Sequence, residues 1–65
     1  MEPKYPGVTV RLLGREGNAF AILGTVAREL RRAEGPEVAT EFLTEAKEGD
    51  YDHLLSTVLR YVNVE

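Results

Sequence analysis

Between two stretches of helical periodicity stands Glu34-Gly35-Pro36-Glu37, and no other four residues restrict the fold as much. Glycine tolerates the left-handed conformation that ends a helix, and proline, with its fixed φ and missing N–H, suits the first position of the next. One helix must stop and another start with a very short connection. On the N-terminal side, Asn18 is a good N-cap, and helix one is expected to run from there to about Ala33. At 100° per residue Ala19, Ile22, Leu23, Val26, Ala27, Leu30 and Ala33 share one broad face with Phe20 at its edge, while Arg28, Arg31 and Arg32 fall on the other. Those arginines also suit the negative end of the helix dipole. Helix two, about 36–48, gathers Val38, Ala39, Phe42, Leu43 and Ala46 inward and leaves Glu37, Glu41, Glu45 and Glu48 outward.

A second junction follows in Gly49-Asp50-Tyr51-Asp52-His53-Leu54-Leu55. Gly49 is expected to close helix two and Asp50 to cap helix three, with Asp52 in the first turn favouring the dipole. Tyr51, Leu54, Leu55, Val58, Leu59, Tyr61 and Val62 form one apolar arc; Asp52, His53, Ser56, Thr57 and Arg60 lie opposite. Before the helices, Val8, Val10 and Leu12 alternate with Thr9 and Arg11, the period of a half-buried strand over 8–13, and Gly14-Arg15-Glu16-Gly17 ends it as a turn. Residues 1–7, broken by Pro3, Pro6 and Gly7, form a short N-terminal arm. Val62-Asn63-Val64 can leave helix three at Asn63 and pair as a short strand with residues 8–13. The fold class expected is α+β: one single small globular domain, 1–65, with an N-terminal strand, three helices and a short C-terminal strand.

The inward positions of the three helices predict a core of Phe20, Leu23, Leu30, Phe42, Leu43, Leu54, Val58 and Leu59. With 65 residues and no cysteine, the chain has a small core and no disulfide or thiolate metal staple. Support from partner chains is the remaining device. No stretch approaches the roughly 20 apolar residues of a membrane span, and the N-terminus lacks an apolar signal core, so a soluble cytoplasmic protein is expected. The net charge is −3, but residues 1–32 carry six basic against three acidic side chains (+3) and residues 33–65 two against eight (−6). In a small domain this asymmetry points to halves that face one another or an identical subunit.

The residue types in GDYDHLL are those of a catalytic or metal site, since His53 titrates near neutrality and two carboxylates are close in sequence. Adjacent helical residues diverge, however, and a metal or general-base role needs groups converging from elsewhere. A calcium loop is excluded because the glycine precedes the carboxylates and no glutamate closes the pattern. Gly14, Gly17 and Gly24 do not form a phosphate loop: there is no P-loop lysine followed by serine or threonine, and the dinucleotide spacing fails. Gly24 is expected to permit a close backbone approach. No catalytic residue, cofactor or metal ligand is assigned, and no enzyme activity is expected.

Two surfaces remain as binding candidates. Arg28, Arg31 and Arg32 on one helix face are polyanion-binding candidates, although a reading helix that opens Asp50-Tyr51-Asp52 is electrostatically wrong for DNA. The exposed side of helix three, His53, Ser56, Thr57 and Arg60, is a candidate protein-contact surface. The strand Val8–Leu13 has edges that Val62–Val64 is too short to cover, which predicts a homodimer through Val8–Leu13.

The segments Gly17-Asn18-Ala19-Phe20-Ala21-Ile22-Leu23-Gly24 and Gly49-Asp50-Tyr51-Asp52-His53-Leu54-Leu55, with an ending Tyr61-Val62-Asn63-Val64, resemble those of a family of short uncharacterised bacterial and phage-associated proteins. The resemblance covers most of residues 5–64, with Glu16 where that family's pattern has Asp. It implies the same strand-then-helices start and assigns no activity, cofactor or partner. The function expected is that of a small protein–protein interaction or assembly module; the alternative is a nucleic-acid-associated protein using the Arg28/Arg31/Arg32 face.

Overall fold

A computed structural model describes residues 2–12 and 18–65. The element order is β1 (Thr9–Val10), α1 (Ala19–Glu34), α2 (Pro36–Ala46), α3 (Tyr51–Tyr61) and β2 (Asn63–Val64). This is the α+β arrangement expected, closing strand included. The end of the expected strand at Leu13 and the Gly14–Gly17 turn lie outside the described residues.

Local chemistry sets the helix ends. The Asn18 side chain accepts from the Phe20 N–H at 2.8 Å, and the Asp50 carboxylate accepts from the His53 N–H at 3.0 Å, so both expected caps are in place. Gly35 is both the last cap of α1 and the first of α2, with φ of 103°, the only positive φ among the described residues. That region is open essentially to glycine alone. Its N–H donates to the Arg31 carbonyl at 3.0 Å, and Pro36 takes the first position of α2.

Gly49 works differently from the expectation. Helix α2 ends at Ala46 with Lys47 as its cap, and Gly49 does not have positive φ. A Cβ there would lie 2.7 Å from Cβ and Cγ of His53. The glycine is required because the imidazole leans over it, a constraint from a residue four positions on. Gly24 is also corrected: it is exposed, and a Cβ would meet nothing within 4 Å.

The two strands pair in parallel, Thr9 with Asn63 and Val10 with Val64. The Lys4 and Tyr5 N–H groups donate to the Arg60 and Tyr61 carbonyls, at 2.7 and 2.9 Å, and Asn63 Nδ2 donates to the Pro6 carbonyl at 2.7 Å. The N-terminal arm therefore runs alongside the end of α3. Since a parallel ladder alternates, the bonds from Asn63 N–H to the Val8 carbonyl and from Glu65 N–H to the Val10 carbonyl assign Val8 and Val10 to β2 and leave Thr9 and Arg11 on the open edge.

The buried core is Val8, Val10, Ile22, Leu23, Val26, Leu30, Ala39, Phe42, Ala46, Leu54, Val58, Tyr61 and Val62. Leu43 and Leu55 pack against it in part. Three residues placed inward by periodicity are instead exposed: Phe20 at 81%, Leu59 at 62% and Tyr51 at 43%. Ala33 is exposed as well. In α3 the buried set is Leu54, Thr57, Val58 and Tyr61, an i, i+3, i+4, i+7 series, so the helix is rotated away from the arc drawn through Leu59. Thr57, expected on the solvent side, is at 0% exposure. Its hydroxyl donates to the His53 carbonyl one turn back at 2.8 Å, which satisfies the polar group in place.

Candidate functional site

The side chains that looked like chemistry are occupied in holding α2 against α3. The His53 ring donates through Nε2 to the Glu45 carbonyl at 2.8 Å, adding a side-chain donor to an acceptor at the end of α2 that also takes the Glu48 N–H at 3.2 Å. Arg60 Nη2 lies 3.1 Å from Glu45 Oε2 and donates to Thr57 Oγ1 at 3.2 Å. Asp50 is turned to the backbone and Asp52 to solvent. Among the described residues no three His, Asp or Glu side chains come together in a way that would hold a metal ion. Of the four candidate contact residues, Thr57 is buried, His53 and Arg60 are engaged within the chain, and Ser56 is exposed.

A second network fixes the N-terminal arm. Glu41 Oε1 accepts from Lys4 Nζ at 2.7 Å and from the Tyr61 hydroxyl at 2.9 Å. Tyr61 packs edge-on against Phe42, with ring centroids 5.4 Å apart, and Lys4 Nζ sits 5.1 Å from the Tyr61 ring centre. The Lys4 ammonium, then the Tyr61 hydroxyl, hold the Glu41 carboxyl below its usual range, and the bond to Glu41 raises Lys4. Burial, reinforced by Glu41, pushes the Tyr61 phenol well above its usual value. All of these act to keep ordinary charge states at neutral pH; none prepares a nucleophile or base.

The α1 arginines do not pair with the glutamate row of α2. Glu41 and Glu45 go to Lys4 and Arg60, Arg32 lies 3.8 Å from Glu29 of its own helix, and Arg28 and Arg31 have no ion pair among the described residues. Both line an open groove of about 390 Å³ between α1 and α2, whose other walls are Ala27, Pro36, Ala39, Thr40 and Leu43. Small residues make this groove: alanines at 27 and 39 leave the gap between the helices unfilled. On α3 the exposed Tyr51 and Leu59, with half-buried Leu55 between them, form a ridge one helical turn apart per residue. Periodicity missed this ridge because it assigned the whole apolar arc inward. The width of that arc, more than one neighbouring helix can cover, was the available signal.

Among the described residues no helix is long and apolar enough to cross a membrane. Comparison with protein-family models, with curated proteins and with solved structures finds no match to the chain.

Proposed function

We propose that the chain is a small cytoplasmic protein–protein interaction or assembly module without catalytic activity. The observation that carries this reading is the exposure of Phe20, Leu59 and Tyr51 in a chain of 65 residues. A domain of this size has few large apolar side chains, and three of them outside the core leave adhesive surface that a partner would cover. The polar residues, by contrast, are used in caps and cross-helix bonds. Affinity capture from cells of the source organism tests it, with the wild-type chain as bait beside Leu59→Glu and Phe20→Glu. Proteins retained by the wild type and lost by a variant are the expected result. No difference between the baits, together with a monomeric chain, would overturn the reading.

A nucleic-acid role has one observation in its favour, the exposed Arg28 and Arg31, which have no ion pair among the described residues. It predicts salt-dependent retention on DNA or heparin that Arg28→Ala/Arg31→Ala abolishes. Elution of the wild type with the void volume at low salt removes it.

A further inference from the structure

The groove and the ridge are complementary, and we propose that the chain assembles head to tail, the outer face of α3 in one copy seating in the α1–α2 groove of the next. The inference rests on the interaction-module reading and supplies its partner: a second copy of this chain.

Shape is the first ground. The groove is concave, with a floor of Ala27, Ala39 and Leu43; the ridge Tyr51–Leu55–Leu59 is convex and apolar. The α2 wall of the groove runs from Pro36 to Leu43 and the ridge from Tyr51 to Leu59, so the two are of similar length, about 11 and about 12 Å at 1.5 Å per residue.

Charge is the second. The groove rim carries Arg28 and Arg31, neither with a carboxylate partner among the described residues. On α2, Glu41 is directed to Lys4 and Tyr61 and Glu45 to Arg60. At the start of the ridge stand exposed Asp52 and Asp50, with Glu48 just before them, and the one cation of α3, Arg60, is turned to Glu45. The ridge is thus an acidic amphipathic helix face and the groove a basic apolar one. Exposed Glu34 and Glu37 flank the hairpin tip, within a turn of Arg31, and disfavour seating the acidic end there, which favours the Arg28 end of the rim.

Because the two surfaces are different patches, the contact is heterologous: a pair keeps one free groove on one copy and one free ridge on the other, and growth continues to a ring or an open chain. The same fact provides a specific test. In sedimentation velocity over a concentration series, wild type should form species larger than a dimer, more weakly as ionic strength rises. Leu59→Glu removes the ridge and Arg28→Glu/Arg31→Glu removes the groove; each alone should weaken association about tenfold or more. Mixed, the two variants should form a one-to-one dimer and stop, since one supplies an intact groove and the other an intact ridge. All three positions are exposed, so circular dichroism should show wild-type helix content; Leu59→Ser and Arg28→Gln/Arg31→Gln repeat the experiment if a charge reversal unfolds the chain. A wild type that stays monomeric to high micromolar concentration overturns the proposal. So does association that the variants leave intact, which would move the contact to the open edge at Thr9 and Arg11, or a mixture that stays monomeric. If the wild type is monomeric but Leu59→Glu still loses a captured protein, self-docking fails and the module reading stands. With no such loss, both fail.

Discussion

The two sides of α2 are treated in opposite ways. Towards the chain ends, Glu41 and Glu45 each have a cationic partner, Glu41 also holds the Tyr61 hydroxyl, and Phe42 is sealed beneath at 0% exposure. Towards α1, the helix presents Pro36, Thr40 and Leu43 to a groove whose arginines are unpaired among the described residues. The difference teaches where stability and recognition reside: one side has its interactions made within the chain, the other has them left to be made. Substitutions on the first side should cost stability, and those of the exposed residues on the second, Arg28, Arg31 and Thr40, should spare it.

The largest effect expected is from Phe42→Ala. Truncating a fully buried phenylalanine costs about 3–5 kcal/mol, a large share of what so small a domain has, and chemical denaturation should find the variant unfolded or nearly so. A stable variant would mean that the closed side is not the seat of stability. Next comes Asp50→Ala at the α2–α3 junction, which should lose about 0.5–2 kcal/mol in the same assay because it removes the bond to the His53 N–H. Asp50→Asn keeps an acceptor and should be close to neutral.

Acid should weaken the closed side specifically. Glu41 is held below its ordinary value of 4.5 in the folded chain, so the unfolded chain binds its proton first. Its contribution is therefore fully present above that value and is lost as pH falls through the folded pKa. Thermal melts across this range should show the loss in wild type and a shallower one in Glu41→Gln; identical acid limbs would show that the Lys4–Glu41–Tyr61 network contributes nothing. Lys4 has the opposite sign, being raised above 10.5, so its share is lost only as pH rises past that value.

The smallest effect reverses direction. Gly24 lies in the exposed face of α1 with open space where a Cβ would go, and Gly24→Ala should raise stability by about 0.5–1 kcal/mol. A loss on melting would place an unrecognised contact on the open side.

Legibility in the sequence follows the range of the interactions. Asn18, Gly35, Pro36 and Asp50 act within a few residues of themselves, and each was readable as a cap or a helix start. The phase of α3 was not, because which part of a broad apolar arc is buried depends on the position of α2 and the N-terminal arm. Thr57 filled an inward position that residue type argued against, and Leu59 was displaced outward as a result. Gly49 is needed for a reason its place after a helix does not reveal, since what excludes a Cβ is the His53 side chain and not a backbone preference. Of the candidate surfaces, the outward direction of Arg28 and Arg31 was legible from periodicity alone. Their lack of an intrachain partner was not, because it required knowing that Lys4 and Arg60 reach the α2 glutamates first.

The parallel pairing of the two chain ends has a mechanical consequence. Tension applied through Pro3 and Glu65 pulls β1 and β2 in opposite directions along their common axis. The bonds from Lys4, Tyr5, Asn63 and Glu65 N–H groups are then loaded together in shear instead of opening one after another as in a zipper. Under force the three helices are shielded behind this clasp, and extension of the molecule waits on a single collective rupture whose rate, not the equilibrium stability of the helices, sets the force the domain withstands.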